Sequence, residues 1–192
     1  MNSFREHFTT SLLMVTLFLC AAPYAGLLAY LRLGVHGETY HSAFPSPVVL
    51  IGLAIIGGVI PLTGLTVILV RLVHDRMHFR LGVLLEAYLS LVLIFASWYA
   101  LLQVSATEPA FSGIPVLWES ARLMTLTEHI GRLHEIFLDT LYLSVTTITT
   151  VGYGDLVPLT RWARLLAGLE GLLGIGYVGL VLGHYFSVCQ HR

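Results

Sequence analysis

Apolar residues fall into four long runs, over residues 11–33, 48–70, 81–104 and 160–188. Each is long enough to cross a bilayer, which takes about 20 helical residues. Polar stretches separate them: a leader holding Arg5, a Gly/Ser/Pro loop over 34–47, and a connection in which Arg71, Arg76 and Arg80 stand against Asp75. Pro23 predicts a kink in the first run, since proline removes a backbone donor. Gly57-Gly58 and Pro61 predict a bend near the middle of the second. Trp98 and Tyr99 close the third, where aromatic rings suit a membrane interface. The first run continues past Ala25, which favours a retained helix over a cleaved leader.

Residues 105–136 form the longest polar segment. Within it Leu123, Leu126, Ile130, Leu133 and Phe137 recur at spacings of three and four, the mark of an amphipathic helix. Gly131 weighs against that helix being continuous. Residues 137–149 read as a separate, buried, half-length helix, followed by a loop over 150–155.

Composition fits this pattern. The 192 residues are 56% hydrophobic and 11% charged, whereas soluble domains carry about a quarter charged residues. Mean hydropathy is +0.82. The fold class is therefore an all-α membrane protein. There is no lysine and the net charge is −1, so no basic patch points to nucleic acid. The two cysteines, Cys20 and Cys189, do not make a disulfide framework. Arg-rich short loops stay in the cytoplasm. That rule puts the 71–80 loop inside, the Arg-free 34–47 loop outside, and both termini in the cytoplasm. His74, Asp75 and His78 have a metal-like spacing, but the neighbouring arginines disfavour a cation. No Ser/His or carboxylate pair has a spacing usable by an intramembrane enzyme, so none is expected. No span carries Arg at every third position, as a voltage sensor requires.

The chemistry concentrates in Thr149-Thr150-Val151-Gly152-Tyr153-Gly154-Asp155. A partly dehydrated cation needs oxygens to replace its water, and a row of backbone carbonyls supplies them. For successive carbonyls to point one way the chain must alternate in handedness, and Gly152 and Gly154 permit positive φ at little cost. One strand cannot surround an ion, so several copies must meet on an axis.

TVGYGD, placed between two spans, resembles the selectivity filter of potassium channels. The resemblance extends upstream through Phe137–Ile148, which looks like that family's pore helix. It continues downstream from Leu156 through the run to Phe186, which looks like its inner helix. It implies four transmembrane helices with a re-entrant pore helix and filter, assembled as a homotetramer in a lipid bilayer. Residues 1–80 would be two added helices and 81–192 the pore module. The segment before the pore helix would lie along the outer surface or cover the pore mouth. The carbonyls of Thr150, Val151, Gly152 and Tyr153 would bind K+, the permeant ion, and no cofactor is called for. Gly154, Asp155, Tyr142 and Thr146 would support the filter. Tyr142 stands where a collar aromatic is usual, whereas Leu143 replaces its companion. Some relatives place a carboxylate at the position of Thr146 to pair with Asp155; this chain does not.

Gly174 aligns with the family's gating hinge. Asp139 suits the positive end of the pore-helix dipole, or a plain cap. Glu170 in the fourth span, His134 toward the outer mouth and His184 toward the inner end are candidate modulators. Glu86 is expected near the inner interface. The function implied is passive, potassium-selective conduction. The alternatives are a weakly selective cation channel or a regulatory subunit of another channel. A compact design without cytoplasmic modules points to a prokaryotic cell membrane.

Overall fold

The computed structural model describes residues 15, 18–33, 46–74, 81–105, 108–117 and 125–189. Helix α1 spans Ala22–Leu33, α2 Pro47–Ala54, α3 Ile60–His74, α4 Leu81–Ser105, α5 Leu126–Ile148 and α6 Arg161–Cys189. Two short strands, β1 (Phe111–Ser112) and β2 (Val157–Pro158), pair antiparallel, with Phe111 opposite Pro158 and Ser112 opposite Val157. Three described helical stretches are long and apolar enough to cross a membrane: Val48–Val67, Leu84–Ser105 and Arg161–Gly183. The described part of the first run is the shorter apolar helix Phe18–Leu33. Its remainder, the 34–45 part of the loop, and Asp75 and His78 lie outside the described residues.

The expected irregularities have local causes. The first helix breaks at Ala21, a turn whose amide bonds Phe18, just ahead of Pro23. Ser46 caps α2, its hydroxyl accepting the Val49 amide, and Pro47 stands where a missing N–H is harmless. The expected bend of the second span is a π-helical turn over Ile55–Val59, which joins α2 to α3. Pro61 follows it; its ring would clash with the carbonyl four residues back, and a widened turn relieves that conflict. Just ahead of this turn the Ala54 carbonyl accepts the Trp98 indole N–H at 3.3 Å.

Helix α4 is the central post. Of its best apolar stretch 72% is buried, against 11% for α6. Phe95, Tyr99 and Val104 of α4 are fully enclosed. Helix α1 packs antiparallel to α2, since Gly26 faces Leu53 while Gly57 faces Pro23. It is tied to α4 through Cys20, whose carbonyl accepts the Ser97 hydroxyl at 2.8 Å. It also reaches α5, where the Tyr24 ring lies 4.9 Å from that of Phe137.

The segment ahead of the filter differs from the expectation. From Leu126 on, the amphipathic stretch and the half-length helix are one helix of 23 residues, begun by a capping box in which Thr125 and Glu128 satisfy each other's amides; Leu123 lies outside the described residues. Its buried stripe is unbroken: His129, Leu133, Ile136, Thr140, Leu143 and Ser144. Gly131 faces open space, so it costs helix propensity without a packing conflict. Asp139 therefore sits mid-helix, and the N-cap is Thr125.

Close packing at the π turn gives a paired prediction. A Cβ on Gly58 would lie 1.8 Å from Trp98 Nε1. That ring is pinned by its hydrogen bond to Ala54 and its edge contact with Phe95. Gly58→Ala is expected to destabilise the protein by about 1–3 kcal/mol, despite alanine's helix advantage of about 1 kcal/mol. Gly52 has nothing within 4 Å. Gly52→Ala should instead leave stability equal or raised, by up to about 1 kcal/mol. Thermal unfolding of the detergent-solubilised protein reads both.

Candidate functional site

Helix α5 ends at Ile148, and its last carbonyls face the problem of every helix end: they lack amide partners from within the helix. Here the following loop supplies them. The Thr149 amide bonds Val145, the Thr150 amide bonds Thr147 at 3.0 Å, and the Val151 and Gly152 amides both bond Thr146, at 2.9 and 3.1 Å. The N–H groups at the inner end of the hairpin are thus turned back onto the pore helix. Among the described residues no backbone amide bonds the carbonyls of 150–153.

The handedness alternates as the carbonyl-row argument requires. Thr150, Gly152 and Gly154 have φ of +59°, +52° and +80°, and no intervening residue is positive. The sequence accounts for the glycines but not for Thr150. A left-handed conformation costs a residue bearing a Cβ about 1–2 kcal/mol, and it is held here by the bonds to Thr147 and Thr146 on either side. Nothing among the described residues lies within 4 Å of a Cβ built on Gly152 or Gly154, so it is the positive φ that calls for glycine there.

Tyr142 and Asp155 brace the outer half. The Tyr142 hydroxyl donates to Asp155 Oδ2 at 2.8 Å, and its ring stacks on Tyr153 with centroids 6.4 Å apart and planes 3° from parallel. Asp155 Oδ1 accepts the Leu156 amide. The Tyr142 bond and this amide hold the Asp155 carboxyl below the usual carboxylate range. Leu143, where a second collar aromatic was absent, is buried in the core instead. The Thr146 backbone carbonyl accepts the Val151 and Gly152 amides, while its hydroxyl bonds Leu143 in its own helix.

A second brace was not legible in the sequence. Gln103 at the end of α4 is fully buried and uses all its hydrogen-bonding capacity. Its carbonyl accepts the Ala110 and Phe111 amides at 3.0 and 3.1 Å, and its amide donates to Ile114 and Pro115. The loop it shapes then holds the chain leaving the filter, through the two-strand pairing and the Leu159 amide on Ala110 at 2.9 Å.

The remaining candidates are dispersed. Gly174 lies against the pore helix: a Cβ there would stand 2.5 Å from the Ile148 carbonyl oxygen, which gives this glycine a packing reason. Glu170 is fully buried between three helices, bonded to Tyr99 and Ser144. His134 bonds the Tyr24 hydroxyl at 2.6 Å, so its partner is the N-terminal helix and not a filter residue. The His184 side chain lies outside the described residues. Glu86 Oε2 is buried without a partner among the described residues.

Helix α5 thus runs into a glycine-bearing loop that lies between two long apolar helices, α4 and α6. Residues 87–191 match the ion-channel family, and the chain belongs to that family. It is 53% identical over 45 residues to two pore potassium channel b of Oryza sativa subsp. japonica, covering 23% of this chain and 13% of the relative. It is 40% identical over 45 residues to two-pore potassium channel 5 of Arabidopsis thaliana, covering 23% of this chain and 11% of that protein. Protein LctB of Bacillus caldotenax is 32% identical over 114 residues, which is 58% of this chain and 76% of LctB. The chain thus spans a small part of the length of the plant relatives. No solved structure matches it significantly.

The Tyr142–Asp155 bond predicts a pH effect. A depressed carboxyl keeps its stabilising bond above its folded pKa and loses it as pH falls through that value. Tyr142→Phe removes the main cause of the depression. Titration of labelled Asp155 by NMR is expected to shift to higher pH in that variant, and an unchanged titration would show that the bond is not formed in solution.

Proposed function

We propose that this protein is a potassium-selective channel that conducts K+ passively through a homotetrameric pore. The reading rests above all on the alternation of positive φ at Thr150, Gly152 and Gly154 within TVGYGD, with the inner amides committed to the pore helix. Four such strands around one axis would offer K+ the carbonyls of Thr150, Val151, Gly152 and Tyr153 in place of water. Gly154, Asp155, Tyr142 and Thr146 would hold those strands in place.

The state of α6 supports assembly. Trp162, Leu165, Leu169, Leu172, Ile175 and Leu182 repeat along it as exposed apolar positions, and Tyr153 of the filter is 72% exposed. Lipid suits part of such a face, but the filter backbone cannot meet lipid. A second copy packed against α6 covers both. The one filter per chain calls for four copies, since a ring of carbonyls must close around the ion.

In this reading the chain is a multi-pass protein of the cell membrane with four spans and both termini cytoplasmic. The two N-terminal helices brace the outer and pore helices. Gly174, where the inner helix crosses the pore helix, is the place for a hinge, and the packing there would make bending depend on the pore helix end.

Purified protein in liposomes under a potassium gradient is expected to give flux blocked by barium, and replacing K+ by Na+ should remove most of it. Equal K+ and Na+ flux would favour a weakly selective pore, with Leu143 in place of a collar aromatic as the cause. No flux from assembled protein would favour a regulatory subunit. Gly152→Ala forces a Cβ onto a residue at φ +52°. It is expected to abolish conduction while leaving the tetramer intact by size-exclusion chromatography; surviving flux would overturn the filter assignment.

A further inference from the structure

Glu170 is fully buried in an apolar helix, and its carboxyl meets two hydroxyls. Tyr99 of α4 donates to Oε2, and Ser144 of α5 is in hydrogen-bond contact with Oε1. The Ser144 Oγ also lies 2.9 Å from the Val92 carbonyl of α4. A carbonyl only accepts, and a serine or tyrosine hydroxyl has one proton to give. The Val92 contact therefore takes the Ser144 proton, and the Tyr99 proton goes to Oε2. The contact between Ser144 and Glu170 then has no proton unless the carboxyl brings its own.

An ionised Glu170 leaves two protons for three contacts, with one acceptor set against another. A protonated Glu170 closes all three. Among the described residues, the ionisable groups placed beside it are Tyr99 and Tyr88 of α4, and neither is cationic. An uncompensated carboxylate in such a place is costly.

We propose that Glu170 carries a proton, donates it to Ser144, and so acts as a positioning residue that fixes the pore helix α5 to the inner helix α6 and the outer helix α4. One turn further along α6, Gly174 abuts the Ile148 carbonyl. The inner helix thus touches the pore helix at Ser144 and Ile148. Thr146, which accepts the Val151 and Gly152 amides, lies between those two points. A displacement of α6 reaches the filter strand through this pair of contacts.

The proton itself is independent of the channel reading; its consequence for conduction rests on it. Infrared spectroscopy of glutamate-labelled protein is the first test. The carbonyl stretch of a protonated carboxyl is expected in the parent protein and lost in Glu170→Gln, whose amide N–H replaces the donor. Identical bands in the two proteins would overturn the proposal. The second test is K+ flux and K+/Na+ discrimination in liposomes. Glu170→Gln is expected to keep both within about twofold, while Glu170→Ala loses flux or discrimination on the order of tenfold, the scale of a lost buried hydrogen bond. A Gln variant as defective as the Ala variant would overturn the positioning role. Should Glu170→Ala fail to assemble, the Gln and parent proteins decide between the same two outcomes. A parent protein that passes no K+ would sink the channel reading while the infrared band still decides the proton.

Discussion

The Thr146 carbonyl accepts two amides, those of Val151 and Gly152, and this pair of bonds fixes how residues 150–155 leave helix α5. A strand that is to offer its carbonyls to an ion must place its N–H groups elsewhere, and in a membrane they cannot be left to lipid. A helix end has the opposite need, with carbonyls to spare. Joining the two directly satisfies both. The cost is a left-handed Thr150, of about 1–2 kcal/mol, which the flanking bonds hold in place.

Much of the surrounding structure keeps this junction fixed. Tyr142 and Asp155 tie the outer half of the strand to the middle of the pore helix. Gln103 shapes the loop that grips the strand after it has left the filter. Glu170 and Gly174 set the inner helix against the last turn of the pore helix. The N-terminal helix enters through Tyr24, which contacts His134 and Phe137, and through Cys20 against Ser97. The N-terminal helix therefore bears on α4 and α5.

The hydrophobic pattern located the helices well because span length is a strong constraint. The ends of the second, third and fourth spans fall within a few residues of the observed helices. The π turn at Ile55–Val59 was legible as Gly57-Gly58 and Pro61, although its form was not. The continuity of α5 was missed, since Gly131 reads as a breaker when its open surroundings are unknown. The left-handed backbone at Gly152 and Gly154 was legible because glycine at alternate positions reports directly on handedness. The Thr150 conformation was not, because it is imposed by bonds to Thr146 and Thr147 and leaves no trace in residue type. Gln103 was equally silent: one glutamine at a helix end looks like any other until the amides it meets are known. Glu170 stood out as a carboxylate in a span, but its partners Tyr99 and Ser144 lie on two other helices.

On the proposed function, four copies of residues 150–153 replace the hydration shell of K+ with backbone oxygens. A structure of the assembled protein in thallium, a heavy stand-in for K+, tests it most directly through anomalous density. The account predicts a fourfold particle with a column of density on its axis between Thr150 and Tyr153. A particle without fourfold symmetry, or an axis empty of dehydrated ions at saturating thallium, would contradict it.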